Sequence, residues 1–470
     1  MPSYLKIQSL VLFLALVITG SAWAQESSDD AAAHWGNFRG PNFNGLSSTA
    51  KPPTQWSAEK NVAWKVAVPG VGSSSPVVWD DKVFVTTAIN KEPEKKPPGR
   101  PKRKEIYEKF DENKDGQLSG EERAKATDFF REKAQSGLAI HEFVVLCYDR
   151  TSGKKLWEEV VAKGKPSAGH HPHGNYSAAS PVTDGKHVYV NFGSMGLFCV
   201  SFEGKSIWKQ EDLGEMRTRG GFGEGSSIAL TDELVILPWD HEGQSKIQAF
   251  NRTTGKEVWK TDRDEPSAWS TPVVVDVAGS PQIIHAGDNF SRGYELKSGE
   301  EIWRASGLSD RPVATPVAYK NLGIFSSSRN GSTLQAYFLD KTGDISSEPA
   351  WAIKKHSTDC ASLLLSENRL FYVSGNKGII SCTNAQDGSE IFGAQRLKGI
   401  GEVYSSPVAA DGKVFVTGRD GATVVIEDGE DYKTISQNDI GEPVDATIAL
   451  AGDQLFIRGS KHLFCIQSTE

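Results

Sequence analysis

Short apolar runs rich in β-branched and aromatic side chains recur along the chain between polar turns, as at Val83-Phe84-Val85, Val188-Tyr189-Val190, Leu370-Phe371-Tyr372-Val373 and Val414-Phe415-Val416. Runs of this length and composition predict strands, not helices. Each follows a start signature, Ser/Thr-Pro-Val or a close variant, found at Ser75, Ser180, Ser227, Thr271, Thr315, Ser362, Ser406 and Thr447. From the second start onward the spacings are 47, 44, 44, 47, 44 and 41 residues, the period of a four-stranded propeller blade. A third strand then ends in a polar turn with glycine and leads to a tryptophan, as in the stretch from Asn251 through Gly255 to Trp259. Similar turns precede Trp157, Trp208 and Trp303, and Phe392 takes the place of tryptophan once. Glycine suits the positive φ of such a turn, and the indole offers apolar area for packing between blades.

One tryptophan strand, Asn61 to Lys65, precedes the first start, and the last start at Thr447 is followed by too little chain for a fourth strand. Pairing the two satisfies both open sheet edges. The predicted fold is therefore all-β: an eight-bladed β-propeller over 25–470 whose N-terminal strand closes the last blade.

The period fails once. The first two starts are 105 residues apart, which places an insertion over 90–140 between the second and third strands of blade one. Lys95 to Lys104 holds six basic residues and three prolines and reads as a solvated linker. Residues 111–122 then match a twelve-residue EF-hand calcium loop. Asp111, Asn113 and Asp115 supply side-chain oxygens, Gln117 a carbonyl, Ser119 a contact through water, and Glu122 two closing oxygens. Gly116 makes the sharp turn. Helical spacing flanks the loop on both sides, so the insertion is expected to be a small helical EF-hand that binds calcium. The second-to-third connection emerges on the same propeller face as the interblade loops, and the EF-hand is expected there, beside the channel mouth.

These repeats resemble the propellers of pyrroloquinoline quinone (PQQ) type, a family shared by quinoprotein dehydrogenases and by the propeller lipoprotein of the outer-membrane barrel-assembly machinery. The resemblance spans about 35–470. The stretches Trp35 to Pro41, Asn175 to Pro181 and Trp269 to Pro272 are similar to those of exported bacterial propellers. In the alcohol-oxidising dehydrogenases the resemblance would imply an adjacent cysteine pair against the quinone. The five cysteines here, Cys147, Cys199, Cys360, Cys382 and Cys465, are all separate. The resemblance thus implies the fold and leaves PQQ an unfavoured cofactor.

Residues 1–24 read as a secretory signal, with an apolar run from Leu10 to Ile18 and an Ala22-Trp23-Ala24 cleavage site. No lipid-anchor cysteine follows the expected cut. An exported protein without a membrane anchor, in the periplasm or outside the cell, is expected. A net charge of −8 over 470 residues gives no reason to expect nucleic acid as a partner. Unusual residues gather in the interblade loops: His170, His171, His173, Asn175, Tyr176, Arg217, Arg219, Phe222, Glu224, Trp269, Asp359, Glu402 and Asp445. They are expected to form one concave surface for a protein or other envelope component. The functional expectation is a non-catalytic binding scaffold. Its rivals are a quinone-dependent oxidoreductase, with Glu224, Asp359 or Asp445 as base, and a carbohydrate binder.

Overall fold

The middle strands of each repeat are apolar on both faces because both faces are covered. Val190 and Leu237 are almost wholly buried, whereas an outer strand such as Glu257–Arg263 alternates between exposed and buried positions. That contrast is what radially stacked sheets require, since inner and middle strands lie between neighbouring blades and outer strands face water. In the computed structural model, which describes residues 33–92, 103–122, 125–126, 129 and 137–468, the repeats form eight separate sheets of at least four strands.

Blade one comprises Val77–Trp79, Lys82–Asn90, His141–Asp149 and Lys155–Gly164. Blade eight takes Ala449–Ala451, Gln454–Arg458 and His462–Gln467 from the C-terminal part of the chain and Val62–Ala67 as its outer strand. Trp64 pairs there with Cys465. The expected closure and the count of eight are thus observed. Two blades carry a fifth strand in parallel pairing: Gly343–Asp344 on the outside of blade four and Leu46–Ser47 against the inner strand of blade seven.

The start signature has a chemical reason. Around the channel, the backbone N–H of one start donates to the hydroxyl of the next. Ser75 donates to Ser180, Ser180 to Ser227 and Ser227 to Thr271, at 2.9, 2.9 and 3.2 Å. Thr315 donates to Ser362, Ser362 to Ser406 and Ser406 to Thr447, at 3.0, 2.9 and 2.9 Å. Thr447 closes the circle on Ser75 at 3.0 Å. Between blades four and five a bond from Ser270 Oγ to the Ala314 carbonyl, 3.2 Å long, takes the place of the missing one.

The tryptophans bind the periphery as the serines and threonines bind the centre. The indole N–H of Trp64, Trp157, Trp208, Trp259 and Trp351 each donates to a carbonyl in the third-to-fourth turn of the following blade. Trp303 departs from this, turning inward to Gln282 at 3.2 Å, where the extra strand of blade four pairs beside it. Four cysteines, Cys147, Cys199, Cys382 and Cys465, are buried in third strands as small apolar side chains. Burial pushes the thiols of Cys199, Cys382 and Cys465 up to about 12.

On the face opposite the interblade loops the segment from Trp35 to Ser47 crosses the propeller. Trp35 pairs with Val78 of blade one, Gly36 accepts from Thr183 of blade two, and Gly45 accepts from Ala409 of blade seven. Arg39 is fully buried and donates to the carbonyls of Pro407, at 3.1 Å, and Leu363. The strap covers that end of the channel.

The leader expected over 1–24, and the basic stretch as far as residue 102, lie outside the described residues. Among the described residues no helix is long and apolar enough to cross a membrane.

Candidate functional site: the channel mouth

With the strap across one end, the channel is reached from the interblade-loop face. A cleft of about 210 Å³ opens there. It shares Trp269, His173, Tyr404 and Cys360 with a cavity of about 240 Å³ that continues down to the hydroxyl ring and to Phe38 of the strap.

The cleft has an aromatic wall and a polar wall. Trp269 is fixed by its N–H, which donates to the Gly223 carbonyl at 2.8 Å, and Phe222 packs against it at 6.3 Å between ring centroids. His171 meets Phe222 edge-on at 5.2 Å, and the Arg311 guanidinium lies 4.9 Å over the same ring. Arg311 holds a φ of 57°, the left-handed region, with its amide donating to Asp288 at 2.8 Å. Residues held there are commonly found where a side chain must be aimed.

Opposite, Arg419 is the organising cation. It binds Asp445 through Nε at 2.6 Å and Nη2 at 3.3 Å, and binds Glu402 at 2.7 Å. Its guanidinium also covers the Tyr404 ring at 4.1 Å and donates to His173 Nδ1 at 2.9 Å. That contact makes Nδ1 the acceptor and puts the His173 proton on Nε2. Asp359 lies 4.0 Å from Arg329 and accepts from Asn376 at 3.2 Å. Desolvation raises the Asp359 pKa, while Arg329 and Arg311 act against that rise. Burial lowers the His171 pKa, reinforced by His173 and the nearby arginines. Burial also pushes Cys360 and Tyr404 up to about 12, so both are neutral at ordinary pH.

The loop residues singled out from the sequence therefore divide. His171, His173, Phe222, Trp269 and Asp359 meet at the mouth, joined through Arg419 by Glu402 and Asp445. Glu224 does not join them. Its carboxylate is buried beneath the loop, accepting from Ser167 at 2.9 Å and from the Ser194 amide at 2.6 Å, which is a loop-fastening role. Asn175 and Tyr176 also turn away, Asn175 to Ser73 at 3.0 Å and Tyr176 to His141 and His170 at 4.8 and 4.6 Å. Arg219 is tied to Asp288 at 3.2 Å and to Asp310, and Arg217 bonds to Glu242 and His241 beside it.

Arg329, Asn376 and Arg419 were missed. All three sit in second-to-third strand loops, of blades five, six and seven, on the very face argued for the insertion. Applying that topological argument to every blade would have found them.

The insertion leaves and rejoins this face. Asn90 pairs with His141, and His141 packs on Tyr176 of the loop between blades one and two. Within it, the helix Arg103–Phe110 leads into the acidic loop, and Phe110 meets Phe129 at 5.5 Å. Lys114 and Gly116 have φ of 56° and 78°. Asp111 accepts from the amides of Asp115 and Gly116 at 3.2 and 2.9 Å, and Asn113 accepts from that of Asp115 at 3.0 Å. Glu122 accepts from the amides of Glu112 and Ser119 at 2.8 and 2.7 Å, while Ser119 Oγ accepts from the Glu122 amide at 3.3 Å. The last two bonds are a reciprocal capping box that starts the exit helix. The oxygens thus lie on the loop's own amides, and among the described residues no three His, Cys, Asp or Glu side chains form a metal cage.

Eight blades of at least four strands, a central channel and start signatures that hydrogen-bond around it define a propeller of PQQ-like repeats. The chain belongs to the family described as outer membrane protein assembly factor BamB, matched over residues 141–393 and again, two blades along the repeats, over 243–470. The first match begins where the insertion ends. Among solved structures, quinohemoprotein alcohol dehydrogenase from Comamonas testosteroni superposes with a TM-score of 0.57 at 9% identity, covering 94% of this chain and 82% of that one. The computationally designed Ika8 protein gives 0.52 at 11% identity, over 70% and 93%. BamB from Moraxella catarrhalis gives 0.47 at 13% identity, over 70% and 89%. At such identities the likeness is one of fold. No curated protein matches the chain.

Proposed function

We propose that this protein is a non-catalytic, exported propeller that holds a protein segment of the cell envelope at its channel mouth. The observation that carries this reading is the one-ended cleft. Trp269 and Phe222, with Arg311 over the Phe222 ring, line it together with Arg329, and a preformed pocket with a few fixed polar groups is built for binding. The groups nearest to a nucleophile or base are engaged or unreactive. Cys360 is held as the neutral thiol by burial, and Glu402 and Asp445 are bound by Arg419.

A PQQ site would require carboxylates free to seat calcium beside the quinone and one more to act as base. Trp269 offers a stacking face, but Asp359 is the one carboxylate lining the cleft. This donor set does not fit the cofactor.

Capture from envelope extract, with photo-cross-linking from position 222, tests the binding reading. A cross-linked envelope protein that is lost in Trp269→Ala supports it. Turnover of alcohols or sugars with PQQ and calcium, or binding confined to glycans, would replace it.

The insertion supports a second element of the reading, calcium at 111–122. Asp111, Asn113, Asp115 and Glu122 supply the oxygens that calcium takes, and Gln117 a carbonyl. The ion would cross-link the two helices of the insertion, and the carboxylate lone pairs left free by the loop's own amides are available to it.

A further inference from the structure

The hydroxyl ring has unused capacity. All eight start residues, from Ser75 to Thr447, line the same cavity of about 240 Å³, and each is buried. Seven of the eight hydroxyl oxygens accept a backbone N–H from the neighbouring blade. Among the described residues none of the eight gives its hydroxyl hydrogen to a protein atom. A hydroxyl that accepts along the ring still has one O–H to donate, and here the space left for it is the lumen. The wall is therefore rich in donors. The carboxylate that borders the lumen, Asp445, has both oxygens on Arg419.

Two buried cations flank this ring without a carboxylate. Arg39 donates to the carbonyls of Pro407 and Leu363, the residues that directly follow Ser406 and Ser362 of the ring. Arg458 donates to the Thr86 carbonyl at 2.6 Å and to Ser74 Oγ at 3.4 Å, next to Ser75 of the ring. Both are fully buried, and the Nε of each has no hydrogen-bond partner. Desolvation lowers their pKa values to about 9 and about 10, so both remain charged at neutral pH. A buried cation without a counter-charge is costly, and a guest anion would offset that cost.

We propose that the lumen is a binding site for a compact tetrahedral oxyanion of the sulfate or phosphate type, taken up from the loop face and held by the ring hydroxyls in the field of Arg39 and Arg458. The cavity has room for such an ion together with water. Several O–H donors converging on one charge resemble the way proteins hold oxyanions elsewhere. The site lies below the mouth and is reached through the same opening.

Thr315 makes the test clean, because no interblade bond ends on its hydroxyl while its amide still donates to Ser362 at 3.0 Å. Sodium sulfate and sodium phosphate are titrated separately into the full chain at constant ionic strength, with sodium chloride as the control. One saturable site per chain is expected for at least one oxyanion and none for chloride. In crystals grown with selenate an anomalous peak should lie inside the ring. Thr315→Val should weaken binding roughly tenfold with an unchanged Tm, and Arg458→Met should remove the rise in Tm that the oxyanion gives. The proposal is overturned by a response no different from chloride, by selenate on exposed lysines alone (an adventitious ion only), by a lumen holding only water, or by Thr315→Val binding as tightly as the parent.

Discussion

Gly255 and Gly412 have nearly the same backbone conformation, φ of 70° and 69°, but very different surroundings. A Cβ on Gly255 would lie 2.6 Å from the Trp208 ring, whereas one on Gly412 would meet nothing within 4 Å. Gly412→Ala should therefore cost only the left-handed strain, about 1 kcal/mol. Gly255→Ala should cost about 2 kcal/mol more, because the indole or the turn must move. Parallel denaturant titrations decide this, and equal losses would mean that the indole contact is slack. His285 gives a pH signature at the same scale. It is fully buried, its Nε2 donates to the Ser270 carbonyl at 3.1 Å, and its Nδ1 has no hydrogen-bond partner, 3.8 Å from Asp240. Desolvation first, and then the charge of Arg263, lower its pKa to about 4. The unfolded chain takes up this proton near pH 6.5 and the folded one does not. Stability should then fall by about 3 kcal/mol as pH drops from about 6.5 to about 4. His285→Gln, which keeps a donor for Ser270, should flatten the Tm profile across that window.

At the scale of elements, the acidic loop and the blade starts were legible for different reasons. A start carries a hydroxyl because at seven of the eight positions its oxygen receives the neighbouring blade's amide, so the hydroxyl recurs around the ring even where the proline and valine beside it do not. The tryptophan turns repeat for the same kind of reason. The mouth was only half legible: Trp269 and His173 sit in conspicuous loops, but Arg329, Asn376 and Arg419 acquire their role from residues of other loops. Arg419 and His173 are 246 residues apart, a separation that no local pattern reports. The strap was equally hidden, since the path of Arg39 to blades six and seven depends on the closed ring. For the insertion, calcium titration followed by terbium luminescence should show one site, abolished by Glu122→Gln. Retention of the site in that variant would leave Glu122 with only its capping-box role. Partners captured equally by parent and variant would separate calcium from the binding function of the mouth.

On the whole-molecule scale, blade eight joins the two parts of the chain and should govern cooperativity. Trp64 is buried, and its N–H donates to the Arg150 carbonyl in the turn of blade one at 2.9 Å. Trp64→Ala should cost roughly 3–5 kcal/mol and should split a single unfolding transition, with hydrogen exchange in His462–Gln467 rising first. A loss spread evenly over all blades would show that the closure is no weaker than the other junctions. The circle of hydroxyl bonds also sets an order of events in time. Its last bond joins residues 372 positions apart, so an emerging chain presents Val62–Ala67 long before the three strands that complete its sheet. Until then that strand is an open edge, and the nascent protein must be kept from pairing it with a stranger.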